Sequence, residues 1–234
     1  KKQFNFDSKE EEEKFKKELH KIITEKKIAI NLDELYAAAA NAGQTGLNKD
    51  EAIKYVELAS KMGMAFDMDR EEAAKYMFNM KNSLNLTYEE LVELTDRINY
   101  LGDNTGANAP AITDYVNRIG SIGKVAGFSK NQVTALGASM IEQGMEAEVA
   151  ATGTRKILVA LNKGSAGTKS QQEMFKSLGI NPEKLAKLAQ EDSEKALFLV
   201  FEKIKAQDPS KQVAILTQLF GQEGLEGSSK FLNN

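Results

Sequence analysis

The side chains that most often carry chemistry are few in this chain and poorly placed for it. Its one histidine, His20, lies within the charged stretch "SKEEEEKFKKELHKIITEKK" (residues 8–27), and there is no cysteine. Two-histidine zinc motifs and a Cys-His dyad therefore cannot be assembled. A Ser-His-Asp triad would have to recruit a histidine expected at the surface, in a sequence with no nucleophile elbow. Two glycine-rich stretches imitate a phosphate-binding loop. In "GSAGTKS" (Gly164–Ser170) Thr168 stands where the second glycine should precede Lys169, and no strand leads in, so the stretch reads as a flexible connection ending in an N-cap at Ser170. "GSIGKVAG" (Gly120–Gly127) follows a helical pattern and fails for the same reasons. The carboxylate pairs Glu71-Glu72 and Glu191-Asp192 fall at helix starts and ends, where solvation and the helix dipole favour ionisation; an acid catalyst needs desolvation. The methionines (among them Met62, Met77, Met80 and Met140) recur at helical spacing and read as core filler before they read as a docking face. No catalytic, cofactor-binding or metal-ligating residue is assigned, no cofactor is expected, and the chain is not expected to be an enzyme.

Bulk composition points the same way. Thirty-one Lys and Arg nearly balance 34 Asp and Glu across 234 residues, and a net charge of −3 gives no nucleic-acid signal. The longest wholly apolar run, Ala196–Phe201, is far short of the roughly 20 residues of a membrane span, so the segment reads as soluble. Absence of cysteine fits a reducing cytoplasm. The chain opens on Lys1 with neither a signal-peptide nor a transit-peptide pattern, and is expected to be part of a longer protein.

What such a chain can build is helices. Capping pairs recur along its length: Ser8 with Glu11, Asn31 with Glu34, Asn48 with Glu51, Asp69 with Glu72, Thr87 with Glu90, Ser129 with Gln132 and Ser170 with Glu173. Pro110, Pro182 and Pro209 each suit the first position of a helix. Apolar residues repeat at helical spacing in Ala52-Val56-Ala59, Leu197-Val200-Phe201-Ile204 and Val213-Leu216-Phe220, and no stretch alternates as a strand does. The expected fold is all-α, a multi-helix array of about a dozen helices. Turn formers at Gly102–Asn108 and Gly164–Lys169 mark interruptions. The expected organisation is a charged N-terminal helix at 1–30, a helical subdomain at 31–107 and a second at 108–234. The first helix carries one apolar stripe (Phe15, Leu19, Ile22, Ile23) and Glu-to-Lys pairs four residues apart; it either packs on the body or continues a longer helix.

Two stretches share punctuation. "GLNKDEAIKYVELASKMGM" (Gly46–Met64) and "GFSKNQVTALGASMIEQGM" (Gly127–Met145) each read as a glycine turn, a capped helix and a Gly-Met exit. The same offset places Met77 on Leu158 and Met80 on Leu161, so the apolar register continues into the next helix. Either a helical hairpin is repeated and stacks on its neighbours, or two unrelated hairpins share turn chemistry. Gly137, Ala138, Gly153 and Thr154 are expected to let helix backbones approach closely.

From about Ile30 onward the chain resembles the core region of phage tail tape measure proteins of the lactococcal-siphophage type. The resemblance is carried by order and spacing: Asn108, Arg118, Gly127-Phe128-Ser129, Gly144, Thr152-Gly153-Thr154, Leu178-Gly179-Ile180 and Phe220-Gly221. Ala151-Thr152 ahead of the Gly-Thr pair departs from the family habit of Ala directly before Gly. The resemblance implies a structural protein of a tailed phage or prophage, lying in the virion tail lumen and present in the host bacterial cytoplasm during assembly. Its length would set tail length. Its implied partners are the tail-tube (major tail) protein, tail assembly chaperones and distal tail proteins, with self-association left open, and it would leave the tube when DNA is delivered. Peptidoglycan-cleaving domains occur elsewhere in some members; nothing in these residues supplies that chemistry. The residues by themselves equally allow a cytosolic helical-repeat adaptor or scaffold that binds a protein partner in a groove.

Overall fold

A computed structural model describes residues 4–44 and 46–232. Thirteen α-helices and one short 3-10 turn (Gly164–Ala166) account for the regular structure, with no strand among the described residues. In chain order the helices are α1 Lys9–Thr24, α2 Leu32–Gln44, α3 Lys49–Ala65, α4 Arg70–Leu84, α5 Tyr88–Asn104, α6 Ala109–Val125 and α7 Lys130–Glu142. Then follow α8 Ala147–Asn162, α9 Lys169–Ser177, α10 Pro182–Glu191, α11 Ser193–Lys205, α12 Pro209–Phe220 and α13 Gln222–Leu232.

Most helix starts are written locally. Ser8, Asn48, Ser129 and Asn181 accept the backbone N–H three residues on, and Asn48–Glu51 and Ser129–Gln132 are reciprocal capping boxes. Thr87 and Glu90 exchange the same pair of bonds. Ser170 is the exception. The cap of α9 is Thr168, whose hydroxyl accepts from Gln171 N–H at 3.2 Å while the Gln171 side chain accepts from Thr168 N–H. Gln171 serves the third helical position as well as Glu173 would have done, so the helix begins two residues early and Ser170 lies inside it.

Five helix ends follow one recipe. A residue in the left-handed region is followed by an apolar residue whose N–H reaches back to the last turn, and then by the next cap. Met68, Leu86, Phe128, Met145 and Ile180 donate in this way to Gly63, Lys81, Gly123, Met140 and Phe175 at 2.8–3.3 Å, the bond that closes a Schellman turn. The residue before each (Asp67, Asn85, Gly127, Gly144, Gly179) has positive φ. The punctuation shared by the two long stretches is thus a turn that recurs at least five times among the described residues. The two copies part company at their exits. Gly144-Met145 forms the turn after α7, but Gly63-Met64 lies inside α3. A Cβ on Gly63 would stand 3.1 Å from the Met68 carbonyl oxygen, so this glycine makes room for its turn instead of forming it. Met77, Met80, Leu158 and Leu161 are all buried, as the common register requires.

The chain divides into two compact units: residues up to Asn82 with Leu86–Thr95, and Ser83–Asn85 with Asp96 onward. In the first, the α1 stripe Phe15, Leu19 and Ile22 packs with Ile28, Ile30, Leu35, Ala39 and Val56. Phe4 and Phe6 close on Phe15, with ring centroids 5.1 and 5.6 Å away, and the Lys49 ammonium sits 2.6 Å from Glu11 and 4.9 Å from the Phe6 ring. In the second, α6, α7, α8 and α13 pack together with α9–α12. The α12 stripe differs from expectation: Leu216 and Phe220 are buried, Val213 is 59% exposed, and Ile215 and Leu219 complete the face. Half-buried Gln212 takes the inward position of that first turn, donating to the carbonyls of Lys205 and Gln207.

Candidate functional site

The residues that imitate catalytic motifs are structural pieces. His20 is half-buried, where an exposed side chain was expected, and its Nε2 lies 2.5 Å from Tyr36 Oη, which ties α1 to α2. Tyr36 approaches from sixteen residues away, a contact that no local pattern encodes. Around the P-loop mimic, Gly164–Ala166 forms the 3-10 turn after α8, and Gln172 Nε2 donates to the Ser165 and Gly167 carbonyls. A phosphate cradle needs backbone N–H groups converging from a strand-to-helix loop; here a helix enters, and carbonyls are what the loop offers its neighbour. Lys169 is open to solvent and 3.9 Å from Glu173. In the second mimic, Gly120–Val125 are helical residues of α6, and Lys124 Nζ donates to the Leu84 carbonyl at 3.0 Å.

Carboxylates behave as caps and surface partners. Glu71 and Glu72 are exposed in the first turn of α4, and Asp192 caps α11 through Lys195 N–H. The Lys49 ammonium holds the Glu11 carboxyl below the usual range, Ser210 does so for Asp208, and Lys156 for Glu223. A general acid would need the opposite direction. Among the described residues no group of three or more His, Cys, Asp or Glu could hold a metal ion, and no helix is long and apolar enough to cross a membrane.

The most constructed region is the interior of the second unit. Tyr115 of α6 is fully buried, and its ring lies where a Cβ on Gly137 of α7 would be. Its hydroxyl donates to Thr154 Oγ1 at 2.9 Å, and Thr154 Oγ1 in turn lies 3.4 Å from Met140 Sδ. Burial pushes the Tyr115 hydroxyl well above the ordinary tyrosine pKa, with the Thr154 bond opposing weakly. At the residue before Thr154, α8 and α13 meet backbone to backbone: a Cβ on Gly153 would stand 2.8 Å from Gly227 Cα. Gly224 is pressed on Phe220 Cβ and Lys156 Cβ, at 2.8 and 3.0 Å from its own missing Cβ. Glu223 and Lys156 pair at 2.7 Å, and Lys230 Nζ donates to the Gln143 carbonyl. Of the small residues expected to permit close approach, Gly137 and Gly153 do so directly and Thr154 holds the hydroxyl relay. Their partner Gly227 went unmarked; its signal was the glycine spacing of α13, Gly224 and Gly227 three apart on one face. This arrangement positions helices.

Two open clefts complete the survey. In the first unit a cavity of about 290 Å³ lies among α2, α3 and α4, lined by Ala38, Ala42, Tyr55, Ala59, Ala74 and Phe78. In the second a groove of about 470 Å³ runs beside Leu136, Phe198, Phe201 and Phe231, with Phe198 56% exposed.

Comparison with known proteins gives two matches. Residues 17–221 match the family described as phage-related minor tail protein. A probable tape measure protein of Halomonas phage phiHAP-1 is 32% identical over an alignment of 201 residues that covers 82% of this chain. The chain spans 23% of that relative's length. No solved structure matches.

Proposed function

Since the chain belongs to the family of phage-related minor tail proteins, we propose that it is a helical module of a tail tape measure protein. Its parent polypeptide lies in the tail lumen, sets tail length, and is displaced when DNA is delivered. The observation that carries this reading is the similarity to a probable tape measure protein across 201 residues, in a chain whose described regular structure is helical. An extended helix advances about 1.5 Å per residue, so a long enough helical chain measures length without any chemical step. This module contributes packed surface and not a reacting group; on this reading its partners are the tail-tube protein, assembly chaperones and distal tail proteins, met in the host cytoplasm during assembly.

The test is made on the parent gene. In-frame deletions of its helical stretches are expected to shorten tails in proportion to the residues removed, as measured by electron microscopy of negatively stained particles. Tails of unchanged length around a shortened polypeptide would defeat the ruler reading while leaving family membership intact.

A further inference from the structure

The α12–α13 junction is a single residue, as is the α10–α11 junction, where Asp192 caps the next helix through its side chain. In the α12–α13 corner that residue is Gly221, at φ 77° and ψ 171°, a combination that is essentially glycine-only. Gly221 has no side chain with which to cap α13, and no buried apolar wedge follows it. Across this junction the inward-facing pattern does not break: Leu216, Phe220, Gly224, Gly227 and Phe231 fall four, four, three and four residues apart, the spacing of a single helix face. At the turns after α3, α4, α6 and α9 a side-chain cap and an apolar wedge stand between the two helices.

Beyond the local bond from Gly224 N–H to the Gly221 carbonyl, tertiary contacts hold the corner shut. The Phe201 ring lies against both Phe220 and Phe231, with centroids 5.8 and 5.0 Å away. Eleven residues of straight helix would carry those two rings roughly 16 Å apart along the axis, so α13 is folded back. Glu223–Lys156, Lys230 to the Gln143 carbonyl and the Gly153–Gly227 approach complete the clasp. α13 itself is a weak helix, with two glycines and two serines among its eleven residues.

We infer that α12, Gly221 and α13 form a two-state device, closed as the corner seen here and open as one continuous helix over residues 209–232. Opening withdraws α13 from α8 and converts a folded-back element into an extended one. No bond changes; the exchange is between one residue's backbone strain together with the α8 clasp on one side, and an unbroken helical ladder on the other.

The cysteine-free chain allows spin labels to be placed at Lys211→Cys and Ser229→Cys without other changes, for distance measurement by pulsed electron resonance. In the continuous helix these sites are about 27 Å apart along the axis, and the folded-back corner brings them closer than that. A Cβ on Gly221 meets nothing within 4 Å, so Gly221→Ala strains the corner and improves the straight helix without a clash. It is expected to raise the population near 27 Å on the order of tenfold. Gly227→Leu, which blocks the approach to Gly153, should reach the same open distance by another route. Gly179→Ala places a residue at φ 75° with equally free space in the same unit and should leave the label distance unchanged. The inference is overturned if Gly221→Ala keeps only the short distance. It is equally overturned if either opening variant gives a broad distribution with no 27 Å component, because α13 then melts instead of joining α12.

Discussion

Around Leu19 in the first unit the interior is closed by bulk: Phe15, Ile22, Ile28, Ile30 and Leu35 fill the space between helices with large side chains. Around Tyr115 in the second unit it is closed by the absence of bulk. There Gly137, Gly153 and Gly227 let a tyrosine ring and two backbones occupy positions that any Cβ would block. Both interiors exclude water, and they fail differently. A core filled by large side chains loses stability when atoms are removed, through lost transfer energy and a residual cavity. A core closed by glycines loses it when atoms are added, because close-packed helices have nowhere to move. The lesson is that the small residues of the second unit are as specific as the large ones of the first.

The contrast can be broken by exchanging the insults. The largest effect is expected from Leu19→Ala, at a position with no exposure, which should cost about 2–5 kcal/mol. In urea unfolding it would lower the midpoint of the first unit with the slope preserved. Next is Gly137→Ala, one added methyl, expected to cost about 1–3 kcal/mol through collision with the Tyr115 ring. A neutral result there would mean that α6 and α7 separate easily, and the distinction between the two interiors would fall.

The smallest effect sharpens the comparison through pH. Tyr115→Phe removes the donor to Thr154 and should cost about 1 kcal/mol near neutrality. The buried hydroxyl keeps its proton in the folded state at a pH where an unfolded tyrosine, with its pKa near 10, has lost it. The unfolded state then binds fewer protons than the native one, so this group's contribution is complete below about pH 10 and declines as pH rises above it. Denaturant melts between pH 9 and 11 should show the alkaline decline reduced in Tyr115→Phe. An identical decline in both proteins would assign it to other groups.

Legibility followed range. Caps at Ser8, Asn48, Thr87 and Ser129 were readable because donor and acceptor are three residues apart and no other part of the chain takes part. The apolar stripes of α1, α3 and α11 were readable because one face repeats every three to four residues. Ser170 misled because two overlapping capping sequences compete within one loop, and the choice rests with the contacts of α9: Gln171 Nε2, beyond its capping bond, also donates to the Leu219 carbonyl at 2.6 Å. Val213 misled because periodicity says which residues share a face and not how far along the helix a neighbour covers it. His20 looked superficial until Tyr36 supplied a partner.

By itself the sequence determined that this protein is helical, where most of its helices begin and end, and that no cysteine and only one histidine are present for chemistry. Those are consequences of short-range bonding and composition. Which glycine turns the chain and which lets it be approached was decided only in three dimensions. Gly144 and Gly63 look alike in sequence, yet one adopts positive φ while the other admits a carbonyl against its bare Cα. The reason is that a missing Cβ permits both uses, and only the arrival of another segment, or its absence, selects between them.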